Sequence, residues 1–217
     1  KIGVFLEGSP KMGGGFFKSL KSLLMLLKID EYKDNIEVIL TDITVKHYFS
    51  KNKTKTVLFK NNKFLRYFSE LFEVSLFKEL LDKFKFKHPF TKFILKNKYD
   101  LIIFLGPSSM SKYCSNISFI FNIWDLDHKK NSQFPEHNLN YVYEKKEKLL
   151  KEVIFKAFKI VVPHESNKED LINFYKIKKE QIINQNFIPV LPDLFIENDK
   201  KENDYKEIFY KLNLPIN

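Results

Sequence analysis

The chain opens on an apolar run, Ile2-Gly3-Val4-Phe5-Leu6, which breaks at Glu7 into a turn-rich stretch ending in Gly13-Gly14-Gly15. From Phe16 to Lys28 the apolar positions fall at Phe16, Leu20, Leu23, Leu24 and Leu27, the spacing of one helix face. A second strand is predicted over residues 36–41. Strand, glycine loop, helix, strand is a βαβ opening, and it predicts a parallel sheet covered by helices. Val57 to Lys60 reads as a short strand, and residues 61–86, rich in Phe, Leu and Lys, as one or two helices. Pro89 opens a further helix that ends near Lys98. The runs 99–107 and 117–124 lack a polar face, as strands covered on both sides should. Glu144 to Phe158 predicts a charged amphipathic helix and Lys159 to Val162 a strand. Ser166 to Tyr175 predicts a helix with Ser166 as its N-cap, and Gln181 to Asn184 a last short strand. One α/β domain is therefore expected over residues 1–192. Residues 193–217 are polar and acidic at first, then carry a short helix to about Leu212, and read as a linker.

Composition narrows the function classes. With 217 residues, 44% of them hydrophobic and 29% charged, the chain is long enough for a sizeable core and is not of disordered type. No stretch approaches the roughly 18 uninterrupted apolar residues of a membrane span. The early break at Glu7 argues against a signal peptide. A lone Cys114 excludes a disulfide framework and a Cys-rich zinc site, so the reducing cytoplasm is the expected compartment. The net charge of +10 would by itself suggest nucleic acid or an anionic surface. Yet Arg66 is the only arginine and Ala157 the only alanine, a bias that fits an AT-rich coding sequence. Without arginine forks, specific nucleic-acid binding is not expected. Peripheral attraction to an anionic membrane remains open, with the interleaved Phe and Lys of residues 76–96 as its candidate element. A helix pair with Phe inward and Lys in solvent explains that stretch as well, and better.

Four segments carry candidate chemistry. Five of the six glycines lie in residues 3–15, and Gly13, Gly14 and Gly15 stand where a helix begins. Free backbone N–H groups and the helix dipole favour a phosphate there, although the spacing matches neither common nucleotide fingerprint. Asp125-Leu126-Asp127-His128 leaves the carboxyl end of a predicted parallel strand, where open α/β sheets bind ligands. These residues could hold a divalent metal against a diphosphate, supply a general base with a neighbouring acid orienting His128, or form a solvated Asx-turn loop. Glu136 lies near a predicted helix N-terminus after Pro135, and His164 could line the cleft. Ser166 followed by Glu169 reads as a capping box, which is by itself a sufficient structural reason for both.

Taken in order, Ile123-Trp124-Asp125-Leu126-Asp127-His128, Phe134-Pro135-Glu136, the Lys/Glu-rich helix closing on Ala157, Ile160-Val161-Val162, Ser166-x-Lys168-x-Asp170-Leu171, Tyr175-x-Ile177 and Gln181-Ile182 form a pattern. With the Gly13-Gly14-Gly15 loop, it resembles the N-terminal domain of family-four ("group 1") glycosyltransferases, many of them mannosyltransferase-like. The resemblance implies a GT-B architecture of two Rossmann-like domains. This chain would be the N-terminal half: a parallel sheet with helices on both faces that mainly receives the acceptor. It further implies a retaining, metal-independent transfer from a nucleotide-sugar donor to a glycan or lipid-linked acceptor, with no cofactor. By the resemblance, Gly13, Gly14 and Gly15 approach the donor diphosphate, and His128 lies near the sugar with Asp125 and Asp127 beside it. Ser166 and Lys168 match a signature near the cleft floor, and Glu136 and His164 are candidate substrate contacts. No Glu-x7-Glu donor signature follows, and no glycine follows Gly106. The donor domain is expected elsewhere, and the isolated chain is expected to be inactive. Two other readings stay open: a metal-dependent GT-A-type transferase using Asp125 and Asp127, and a non-catalytic module docking at an anionic membrane.

Overall fold

The computed structural model describes residues 1–9, 11, 13–29, 34–52, 54–60, 69, 83 and 86–186. Among them, seven strands form one parallel sheet: β1 (Ile2–Leu6), β2 (Ile36–Leu40), β3 (Thr56–Leu58), β4 (Leu101–Phe104), β5 (Ser118–Asn122), β6 (Lys159–Val162) and β7 (Ile182–Asn184). Their order is β3-β2-β1-β4-β5-β6-β7, with every neighbouring pair parallel. The helices are α1 (Gly14–Leu26), α2 (Pro89–Lys96), α3 (Asp127–Lys130), α4 (Pro135–Asn138), α5 (Val142–Val153) and α6 (Glu165–Tyr175). This is the Rossmann-like α/β fold that the resemblance implied.

Alternation along the strands sends successive side chains to opposite faces, and both faces are apolar. Val4 and Leu6 of β1 join Leu20 and Leu23 of α1 in one buried cluster. Phe5 points the other way, into a second cluster with Phe104, Phe121, Phe90 of α2, Leu150 of α5 and Leu171 of α6. The sheet is thus covered by α1 on one face and by α2, α5 and α6 on the other. In α2 the aromatic and aliphatic side chains Phe90 and Ile94 are buried while Lys92 and Lys96 are exposed. Phe90 and Ile94 thus follow the inward arrangement expected of residues 76–96, whereas Phe86 is exposed, with Lys92 Nζ over its ring at 4.3 Å. Among the described residues no helix is long and apolar enough to cross a membrane.

Several boundaries differ from expectation. The helix predicted from Ser166 begins at Glu165, with extended His164 as its N-cap and no capping side chain. The Ser166–Glu169 capping box therefore does not form: Ser166 already lies inside the first turn. Instead Glu165 pairs with Lys168 at 3.0 Å. The helix expected over 144–158 runs from Val142 to Val153. Gln181 Nε2 donates to the carbonyls of Ile154 (3.0 Å) and Ala157 (2.7 Å), tying down the chain just past the helix end. The 3-10 segment Ile43–Asn52 has no counterpart in the sequence reading. Val45 and Phe49 anchor it in the core, with Tyr48 packed partly buried beside them, a pattern too sparse to stand out. Apart from Ser69, Lys83 and Phe86, the helices expected over 61–86 lie outside the described residues, as does the expected linker over 193–217.

Phe104 sits within ring contact of Phe5, Phe90 and Phe119 and is 1% exposed. Phe104→Ala should cost about 4 kcal/mol, the usual scale for emptying a buried aromatic site, as read from denaturant unfolding.

Candidate functional site

The strand order reverses direction between β1 and β4. After β1 the chain crosses to α1 on one face. After β4 it enters the 3-10 segment Ser109–Tyr113, whose Met110 packs into the cluster on the other face. Two connections leaving a sheet on opposite sides open a crevice at the strands' carboxyl ends. A pocket of about 470 Å³ lies there, lined by Leu6 at the end of β1 and Glu7 after it, Leu105, Gly106, Pro107 and Ser109 after β4, and Trp124 after β5. Gly15, Phe16 and Ser19 of α1 and Leu149 of α5 complete its walls.

Trp124 organises this pocket. A Cβ placed on Gly15 would stand 2.7 Å from its ring, and one on Gly106 would stand 2.8 Å away. Only glycine permits that approach both from the first turn of α1 and from the loop after β4. The indole Nε1–H donates to the Leu105 carbonyl at 3.4 Å, and the Ser19 hydroxyl donates to the same carbonyl at 3.0 Å. Among the described residues, Glu7 is the one ionisable side chain in the lining. Burial raises its pKa above the ordinary glutamate value, and a hydrogen bond from Ser108 only partly offsets this.

The acidic segment lies beside the pocket but is engaged with other groups. Asp125 accepts a hydrogen bond from the Asp127 backbone N–H at 3.2 Å and faces Lys146 at 3.6 Å. Asp127 accepts from the Asn131 side chain and from His137 at 3.1 Å. These bonds, Asn131 first, hold its carboxyl below the usual aspartate value. His128 is fully buried, and the acid that orients it is Glu147 of α5, 3.1 Å from Nε2. Glu147 also accepts from Lys129 at 2.9 Å and from the Tyr175 hydroxyl. Burial alone would raise Glu147, but the bonds from Tyr175, Lys129 and His128 outweigh it and lower the pKa to about 2. Burial lowers the His128 pKa more than Glu147 raises it, so the ring is neutral and Nε2–H donates. That assignment leaves Nδ1 a lone-pair acceptor, buried and without a hydrogen-bond partner.

The other candidates are spread along the same carboxyl edge. Gly13, at φ 84°, starts α1 in a conformation other residues rarely adopt; it and Gly14 are exposed. Glu136 is exposed in the first turn of α4, and His164 and Ser166 are exposed at the start of α6. Lys168 is committed to Glu165. Of the residues singled out from sequence, Gly15 lines the pocket, while Gly13, Gly14, Asp125, Asp127, His128, Glu136, His164, Ser166 and Lys168 do not. Among the described residues no group of three or more His, Cys, Asp or Glu is placed to hold a metal ion. Glu7, Ser19 and Gly106 escaped notice as site residues. The usable signals were that Glu7 ends an apolar strand and that Gly106 is the sole glycine outside residues 3–15.

No protein-family model matches the chain, and no curated protein matches it by sequence. Among solved structures, Anabaena HepE in complex with UDP and glucose is similar in fold, with a TM-score of 0.54 and 16% identity over 97% of this chain and 50% of that one. A glycosyltransferase from Rickettsia africae gives a TM-score of 0.49 at 16% identity, over 100% of this chain and 50% of the other. The chain thus spans about half the length of these structures. What the likeness to HepE establishes is the fold: a Rossmann-like α/β domain.

Two predictions follow from the geometry. Gly15→Ala should displace the Trp124 ring, shift its fluorescence and cost about 2 kcal/mol, as overpacking does. Gly14→Ala, with nothing within 4 Å, should leave the emission unchanged. Glu147→Gln breaks a buried charge network and should cost about 3 kcal/mol near neutral pH. Because the folded-state pKa of Glu147 is depressed to about 2, its stabilisation is present above the ordinary value of 4.5 and fades as pH falls toward 2. The gap between wild type and variant in urea unfolding should close over that range.

Proposed function

We propose that this chain is the N-terminal, acceptor-side half of a GT-B glycosyltransferase, one that moves a sugar from a nucleotide-sugar donor to a glycan or lipid-linked acceptor. The observation that carries the reading is the pocket at the β1/β4 reversal, walled by Gly15 of the glycine loop and by Trp124, with the Asp125–His128 segment beside it. The fold likeness to HepE, a structure holding UDP and glucose, supports a nucleotide sugar as donor. The exposed Gly13 and Gly14 at the N-terminus of α1 offer backbone N–H groups to a diphosphate arriving from a second domain. Transfer is retaining and metal-independent in this reading, and it takes place on the cytoplasmic side, at the inner face of the membrane when the acceptor is lipid-linked. Asp125 and Asp127 are held by Lys146, Asn131 and His137. That engagement favours a positioning role for the acidic segment over the metal-binding role of a GT-A site. His128 acts from behind it, through the Glu147 network.

The test is a transfer assay on the protein that joins this chain to a donor-binding domain, with UDP- and GDP-hexoses and glycan or polyprenyl-phosphate acceptors. Sugar transfer that survives a chelator and falls at least tenfold in kcat/KM in Trp124→Ala is expected. No transfer with any donor, or transfer abolished by the chelator, overturns the reading in its present form. Sugar transfer by the 217-residue chain alone would overturn the assignment of this chain as one half of the site.

A further inference from the structure

The pocket is unusual for so basic a chain. Among the described residues no lysine, arginine or histidine lines it, and its one ionisable group is an acid, Glu7. A phosphate placed there would meet a partly desolvated carboxylate with no cation to compensate. The remaining lining suits something else. The indole of Trp124, the Phe16 ring and Leu149 form apolar walls, and Ser109 contributes a hydroxyl. The Ser19 hydroxyl proton is committed to the Leu105 carbonyl, so toward the pocket this residue offers an acceptor lone pair. Acceptor oxygens set against flat apolar walls complement a sugar ring, which presents O–H groups at its edge and C–H groups on its faces.

We propose that Glu7 is the group that selects the ligand of this pocket, accepting the hydroxyl hydrogens of a neutral sugar or related polyol while Trp124 covers its apolar face. The proposal deepens the transferase reading and rests on it for the choice of a sugar. The surroundings of Glu7 agree. Ser108 supplies one hydrogen bond to the carboxyl group, but burial outweighs it and raises the pKa, with no cationic partner among the described residues. A ligand hydroxyl would fill that deficit. Among the described residues, no other titratable side chain lines the pocket from the loop after β1, from α1, from the loop after β4, from Trp124 or from α5. Binding strength should therefore follow one titration, weakening as pH falls through that of Glu7, because the protonated form loses acceptor capacity.

Trp124 is the only tryptophan in the chain, and it lines both this pocket and the adjoining one beside Lys18 and Ile183, so the Glu7 variants decide which of the two a fluorescence response reports. The 217-residue chain is titrated with methyl α-glucoside, with myo-inositol and with inorganic phosphate across the acid-to-neutral range. A saturable response to at least one of the two polyols and none to phosphate is expected, with affinity falling toward acid pH. Glu7→Gln should weaken the polyol response about tenfold, the scale of a hydrogen bond to a charged group, and flatten its pH profile. Glu7→Asp should keep the pH dependence. Thermal melts of both variants separate this effect from loss of fold. The proposal is overturned if phosphate binds and neither polyol does, if neither polyol gives a response, or if a folded Glu7→Gln binds as wild type with the same pH profile. The transfer assay is independent of these outcomes. Transfer without a Glu7-dependent polyol response removes this inference and leaves the transferase reading. A Glu7-dependent response without transfer does the reverse.

Discussion

The backbone carbonyl of Leu105 receives two hydrogen bonds, from the Ser19 hydroxyl of α1 and from the Trp124 indole after β5. It lies one residue past β4, and its own N–H reaches back to the Phe5 carbonyl of β1. Four elements are thereby tied at one point on the sheet's carboxyl edge. The Trp124 ring can reach it only because Gly15 and Gly106 present bare backbone on either side. The indole occupies space that a Cβ at either glycine would need, and the crevice opened by the reversal of strand order becomes a walled pocket rather than an open groove.

Two glutamates near this edge illustrate how environment divides like groups. Glu147 is buried but accepts from a tyrosine, a lysine and a histidine, so it stays ionised to about pH 2. It locks α3, α5 and α6 together behind the acidic segment, and its His128 partner is neutral and wholly enclosed. Glu7 has a hydroxyl for company and no cation, so burial prevails and its pKa rises. The first arrangement is a satisfied structural network. The second leaves a carboxyl group with unspent hydrogen-bonding capacity at a cavity wall, which is the condition expected of a group that meets a ligand.

Much of the fold was legible because its signals are local. Apolar runs such as Ile2–Leu6 and Leu101–Phe104 mark strands, Phe16 to Leu27 marks a helix by spacing, and the βαβ order implies parallel pairing. The site was legible in part. The glycine loop and Trp124-Asp125-Leu126-Asp127-His128 were correctly placed at strand ends, because a residue's position relative to its own strand is also local. What lay beyond the sequence was non-local: that Glu147, nineteen positions from His128, is the acid orienting it, that His137 holds Asp127, and that Gly106 and Gly15 face one indole. His128 stands out in sequence as a catalytic residue, yet the turn of α3 sends it inward, while the unremarkable Glu7 emerges at the cavity. Periodicity along the chain determined which segments are strands and helices and which residues end them. Only the pairing of β1 with β4, and of β4 with β5, decided which of those ends share a pocket, since the first joins residues 99 positions apart, such as Ile2 and Leu101, and no local pattern encodes that contact.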